Sequence, residues 1–214
     1  MRASKRKPNE VKDFRSELAE RVSDTYKFRF DLHMHSWYSD GTESPKAIVD
    51  HIAKNKLLEG FSLTDHDNFK GLAEARAAAK KHGLICIPGV ELTTDVGDIV
   101  AIGIEEMPPS KDPEEIIDWI KSQGAVAIGA HPHYSEFKGM PKLLKAFDAV
   151  EVHNATTALE FNMEAFALAK KHKLLGVAVS DSHVMDMVAR GWTAAKHSDI
   201  IKAIRKGEIK IGWI

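Results

Sequence analysis

Beyond Lys27 the chain alternates short apolar, β-rich runs with longer stretches whose apolar residues recur every three or four positions. The runs predict strands at 28–33, 60–65, 84–91, 98–104, 125–131, 148–153 and 175–181. The periodic stretches predict helices at 45–57, 70–82, 112–123, 140–146 and 158–172, then a last helix at 198–206 and a short strand at 209–213. Pro45 and Pro113 suit first helical turns, where a missing N–H has no partner to lose. Gly83 and Gly124 suit helix C-termini, which often need a left-handed residue. Strand and helix in repeated alternation imply a mainly parallel sheet, closed as a barrel or left open. No glycine-rich loop follows the first strand, which argues against an open nucleotide-binding sheet.

Ahead of this pattern, residues 1–27 read as a charged leader, and 28–214 as one domain. Asn9 suits the cap of a short helix reaching about Ser23, with Val11, Phe14, Leu18 and Val22 on one face for docking. The leader lacks the apolar core of a signal peptide, and no apolar run is long enough to span a bilayer.

Composition narrows the picture in three places. Thirty basic and 31 acidic residues leave a net charge of −1, which favours neither nucleic acid nor an acidic membrane as a partner. A single cysteine, Cys86, forbids an intrachain disulfide and fits a reducing, cytoplasmic setting. Eleven histidines are an excess that asks for a use.

Their use is suggested by where they fall. The first strand ends in His33-Met34-His35, the second in Asp65-His66-Asp67 and the third in Glu91. The fifth ends in His131-Pro132-His133, the sixth in Glu151-Val152-His153 and the seventh in Asp181-Ser182-His183. The fourth carries no ligand at its end, although Glu105 follows it. In a parallel barrel all strand C-termini share one face, so these residues would converge on one mouth. His33 and His35, two apart on extended chain, would point the same way and grip one ion. Mixed nitrogen and oxygen donors suit Mn, Fe or Zn, and bridging carboxylates suit clustered ions.

The segments DLHMHSWYSDGT, SLTDHD, GVELT, GAHPH, EVHNA and SDSH occur in this order between about Phe30 and Thr193. In this combination the sequence resembles the polymerase and histidinol phosphatase (PHP) domain family. The resemblance implies a distorted seven-stranded (β/α) barrel of the TIM-like kind and two or three divalent metal ions. It implies a first position from His33, His35, Glu91 and Asp181, and a second sharing Glu91 and adding His131 and His153. A third would take Asp40, His66 and His183, where Asp40 replaces a histidine found in some members and tilts that position toward Mn or Fe. The implied reaction is hydrolysis of a small phosphomonoester of the nucleotide, sugar or histidinol phosphate class, with a metal-bridging hydroxide as nucleophile. Asp67 or a metal-bound water would protonate the leaving oxygen. Arg190, in ARGWT, would fork onto a phosphate.

Other residues have two readings each. Asp65 orients His66 or binds metal. His133, Asn154 and Lys138 touch substrate or serve their loops, and Glu151 supports the site from behind. Trp37 and Tyr38 line a pocket for a ring or pack locally. Two alternatives to the phosphatase remain: a PHP-type nuclease acting on DNA or RNA ends, and a non-catalytic interaction domain that would have lost ligands.

Overall fold

The computed structural model describes residues 25–133 and 135–214; the expected docking helix at 9–23 lies outside them. Nine strands form one sheet: β1 (Phe28–Asp31), β2 (Gly60–Leu63), β3 (Ile85–Thr94), β4 (Gly97–Ile102), β5 (Val126–Gly129), β6 (Ala149–Asn154), β7 (Gly176–Val179), β8 (Gly191–Ala195) and β9 (Ile209–Trp213). Among the described residues six α-helices accompany them: α1 (Pro45–Asn55), α2 (Leu72–His82), α3 (Pro113–Ser122), α4 (Pro141–Leu144), α5 (Leu159–His172) and α6 (Ile200–Lys206). Their starts follow local chemistry. Ser44 accepts from the Ala47 amide ahead of Pro45, and Asp112 accepts from the Glu115 amide ahead of Pro113.

The sheet runs β7-β6-β5-β4-β3-β2-β1-β8-β9 and curls into a nearly closed barrel. At the open seam the extensions of β1 and β7 meet: Met34 bridges Ser182 in parallel, and the Asp181 amide donates to the His33 carbonyl. Lower in the seam β8 fits against β7. Thr193 Oγ1 bonds both the amide and the carbonyl of Ala178. A side chain at Gly191 would strike the Val179 carbonyl, so only glycine permits this approach.

Two expectations need correction. The expected seven strands are nine, because Gly191–Ala195 forms an unanticipated strand and the anticipated 209–213 strand pairs with it in the same sheet. The barrel is also not uniformly β/α. Only Asp95 and Val96 separate β3 from β4, and so short a link permits an antiparallel hairpin, not a crossover. Strand β4 is therefore antiparallel to both its neighbours.

Burial follows the pleat. Phe30, Leu32, Val100, Ile102, Val126, Ile128, Val177 and Val179 fill the barrel interior. Helix α6 adds Ile200, Ala203 and Ile204 to that interior. Arg205 bonds the carbonyl of Ala125, just ahead of β5, so α6 closes the end where the parallel strands begin. Outside the barrel, α3 and α4 cover one stretch of sheet with Ile117, Ile120, Leu143 and Leu144, while α1 and α2 cover another with Ile48, Ile52, Ala75 and Ala79. The strand ends opposite α6 are left to polar residues. No helix among the described residues is long and apolar enough to cross a membrane.

Candidate metal centre

At that polar end the chain gathers imidazoles and carboxylates from six segments. Met34 turns outward to pack with Ile48 and Ile52, which leaves His33 and His35 facing inward on either side of it. Their Nε2 atoms stand 3.0 Å apart. Glu91 is the hub. Its Oε2 lies 3.0 Å from His33 Nε2, 3.2 Å from His35 Nε2 and 3.2 Å from His66 Nδ1, while Oε1 lies 3.1 Å from His131 Nε2. Asp181 Oδ1 is 3.2 Å from His35 Nε2. Asp40 Oδ2 faces His183 Nε2 at 3.2 Å and His66 Nε2 at 3.6 Å. His35 stacks on both His66 and His183.

Backbone strain sets some of these directions. Asp67, His131 and Asp181 take positive φ without being glycine (51°, 26° and 53°). Such residues are uncommon and concentrate at functional sites, because the turn re-aims a side chain at the end of a strand.

The residues behind the hub are as ordered as the hub itself. His33 Nδ1 lies 2.7 Å from Glu151 Oε1. Glu151 Oε2 accepts from the His131 amide and from Asn154 Nδ2, which also donates to Asp181 Oδ2. Asn154 thus holds acids in place and has no need of a substrate contact to explain it. Asp65 accepts from the amide and hydroxyl of Ser36 and from the hydroxyl of Ser39. Its structural role is to fasten the loop after His35, not to orient His66 as expected from its neighbour position.

Electrostatics show what the cluster wants. Burial opposes charge on His33, yet Glu91, Asp181 and Glu151 override it and hold the imidazole well above its usual value. His35 and His131 are raised in the same contest between burial and carboxylate bonds. Burial would push Glu91 and Asp181 up, but the histidines hold both below the ordinary range. Several acids are thus buried around a space that attracts positive charge.

Eight of the nine metal ligands expected from the sequence meet here: His33, His35, Asp40, His66, Glu91, His131, Asp181 and His183. His153 does not. Its ring stacks on Trp213 at 4.8 Å, and burial lowers its pKa to about 4. The cause is a bulge in β6: Glu151 pairs with Val177, but His153 pairs with the very next residue, Ala178. Val177 faces the interior and Ala178 the outer layer, so Glu151 faces in and His153 out. Asn154, opposite Val179, returns to the interior.

Sequence reasoning passed over Asp98. One ligand atom each from Glu91, Asp98 and His131 lie within 4.8 Å of one another. Among the described residues, the other groups that can hold an ion are His33-His35-Glu91 and His35-Asp40-His66-His183. Donors of nitrogen and oxygen type so close together fit divalent cations. Asp67 is exposed beside the cluster, and its Oδ1 accepts from the Thr93 amide. Arg190 is exposed just ahead of β8, and its Nε donates to the Asp186 carbonyl. His133 stacks on Phe161, and burial lowers it to about 4. Glu105 pairs with Arg76.

Comparison with known proteins agrees with this geometry. The chain is 40% identical over 84 residues to a 3',5'-nucleoside bisphosphate phosphatase of Chromobacterium violaceum, covering 37% of this chain and 29% of that protein. It is 43% identical over 67 residues to a 5'-3' exoribonuclease of Haemophilus influenzae, covering 31% and 24%. It thus spans under a third of either relative. Its fold superposes with a TM-score of 0.72, at 23% identity, on a two-domain Bacteroides vulgatus protein containing a predicted PHP-like metal-dependent phosphoesterase, covering 89% of this chain and 66% of that one. Residues 31–163 match the PHP domain, and residues 160–209 match the PHP-associated region. With most of its length so matched, the chain belongs to the PHP domain family.

Proposed function

We propose that this chain hydrolyses a small phosphomonoester, drawn from the nucleotide, sugar phosphate or histidinol phosphate class. Membership of the family makes it a hydrolase of phosphate esters; the choice of ester is our reading. The observation that carries it is the shared carboxylate: Glu91 touches His33, His35, His66 and His131 with its two oxygens. A carboxylate so placed can serve adjacent cations at once. His33, His35, Glu91 and Asp181 would hold one, Glu91 and His131 would contribute to a second, and Asp40, His66 and His183 would hold a third. Bound divalent ions of the Mn, Fe or Zn kind would neutralise phosphate oxygens and lower the pKa of water.

The protein's own groups complete the reaction. Glu151 and Asn154 keep His33 and Asp181 in register. Asp67, exposed one residue past His66, would carry a proton to the leaving oxygen. Strand β8 runs antiparallel to β1, so Arg190 at its start stands at the mouth end, where its guanidinium would steady a phosphate. Burial pushes the thiol of Cys86 up to about 11 and disfavours the reactive thiolate; the cytoplasmic setting in this reading rests on the single cysteine of the sequence.

A nuclease reading draws on one further observation. Trp37 and Tyr38, directly after His35, are 58% and 38% exposed, and exposed aromatics can stack unpaired bases. The net charge of −1 weighs the other way.

The test is phosphate release from protein purified without chelators and supplied with Mn or Fe. Nucleotides, nucleoside bisphosphates, sugar phosphates and single-stranded oligonucleotides form the panel. Turnover of a phosphomonoester, abolished in a folded Glu91→Ala variant, is expected. Cleavage of oligonucleotides alone would replace the phosphatase with the nuclease.

A further inference from the structure

We infer that Asp98 takes the place in the second cation position that His153 vacates, joining Glu91 and His131. The inference rests on the metal-centre reading above and concerns which residues of this chain build it.

The argument begins with strand direction. Because β4 is antiparallel, its start and not its end lies at the mouth. Within β4, Val100 and Ile102 face the barrel interior, and Val100 pairs directly with Glu91. Asp98, two residues before Val100, shares that inward face one step nearer the mouth. The loop carrying His131 comes to the same place, since the Ala130 amide donates to the Asp98 carbonyl. Asp98 Oδ2 stands 4.0 Å from His131 Nε2, which itself stands 3.1 Å from Glu91 Oε1. Ligands each about 2.0–2.2 Å from a shared ion are separated by roughly 3–4 Å, so the three need little movement to close on one cation.

His153 offers no such geometry. The β6 bulge turns it to the outer layer against Trp213. Strand β4 thus supplies by its reversed direction what β6 withdraws by its bulge. The chemistry changes with the exchange. Two carboxylates and one imidazole favour harder ions than a two-imidazole position, so Mn or Fe is favoured over Zn there.

The test is metal content after Mn loading and desalting, by mass spectrometry, for wild type, Asp98→Ala, Asp98→Asn and His153→Ala. Circular dichroism checks each fold. Both Asp98 variants should retain about one equivalent less Mn than wild type, while His153→Ala keeps the wild-type content. If Asp98→Ala does not fold, the near-isosteric Asp98→Asn carries the test. Full Mn content in a folded Asp98 variant overturns this assignment and leaves the metal centre standing. So does loss of an equivalent in His153→Ala. Wild type that holds no metal at all overturns both.

Discussion

His33 Nδ1 lies 2.7 Å from Glu151 Oε1, deep inside the barrel, while His33 Nε2 faces Glu91. A carboxylate on one ring nitrogen fixes the tautomer and leaves the lone pair of the other for a cation. Glu151 is committed further: its second oxygen takes the His131 amide and the Asn154 side chain. Glu151→Gln would set an amide donor against one of these donors. Metal affinity should fall about 10–100-fold with the fold retained, read by Mn titration calorimetry and circular dichroism. Unchanged affinity would show that His33 needs no support from behind.

The charge balance of the cluster makes a second prediction. Carboxylates raise His33, His35 and His131 against the opposing effect of burial. Each must shed its proton before its ring nitrogen can hold an ion. Metal binding should therefore release protons, and affinity should climb as pH rises. Calorimetry in buffers of different ionisation enthalpy at neutral pH should show net release. A heat independent of buffer would contradict these directions.

The first seven strands and all six helices were legible because short apolar runs and three-four periodicity survive without tertiary information. The convergence of His33, His35, His66, Glu91, His131 and Asp181 on one mouth was legible because each closes or follows a recognisable strand. Asp98 was hidden by direction, since a strand-end rule points to Glu105, whereas reversal of β4 brings its first residues to the mouth. The signal available was the short Asp95-Val96 link, too brief for a crossover. His153 misled because period two assumes an unbroken pleat, and one extra residue in β6 reversed its face. Strand β8, GWTAA, escaped notice since its small residues form no apolar run. Positive φ at Asp67, His131 and Asp181 left no glycine to announce it.

His153 also yields a stability prediction. Both its ring nitrogens are buried without a hydrogen-bond partner among the described residues, and the ring is stacked on Trp213. Burying an unsatisfied polar group costs about 1–3 kcal/mol. His153→Phe removes both such atoms and keeps an aromatic face for the stack. Its melting temperature should equal or exceed that of wild type, with metal content unchanged. A clear drop in either would mean that the imidazole nitrogens have work on this outer face.

Asp31 supplies a pH-dependent term of its own, two residues before His33 but not itself among the cation ligands. It is wholly buried and accepts from the amides of Ser180 and Ala189, joining β1 to the chain before and after the seam. Burial dominates over these hydrogen bonds and raises its carboxyl from 3.8 to about 6. The folded state then binds the proton more tightly than the unfolded chain does. The stabilising contribution is complete below about 3.8 and is lost as pH rises to about 6. Raising the carboxyl from 3.8 to about 6 corresponds to about 3 kcal/mol. Asp31→Asn stays neutral at every pH and carries a fixed penalty, because its amide nitrogen must face backbone donors from Ser180 and His33 or from Ala189. Urea unfolding of both proteins from pH 4 to 8 isolates the term. The stability of wild type relative to Asp31→Asn should decline by up to about 3 kcal/mol between pH 4 and 6, then level off. A difference that stays flat, or grows with pH, would show that Asp31 is already ionised at low pH and held by its amide bonds instead.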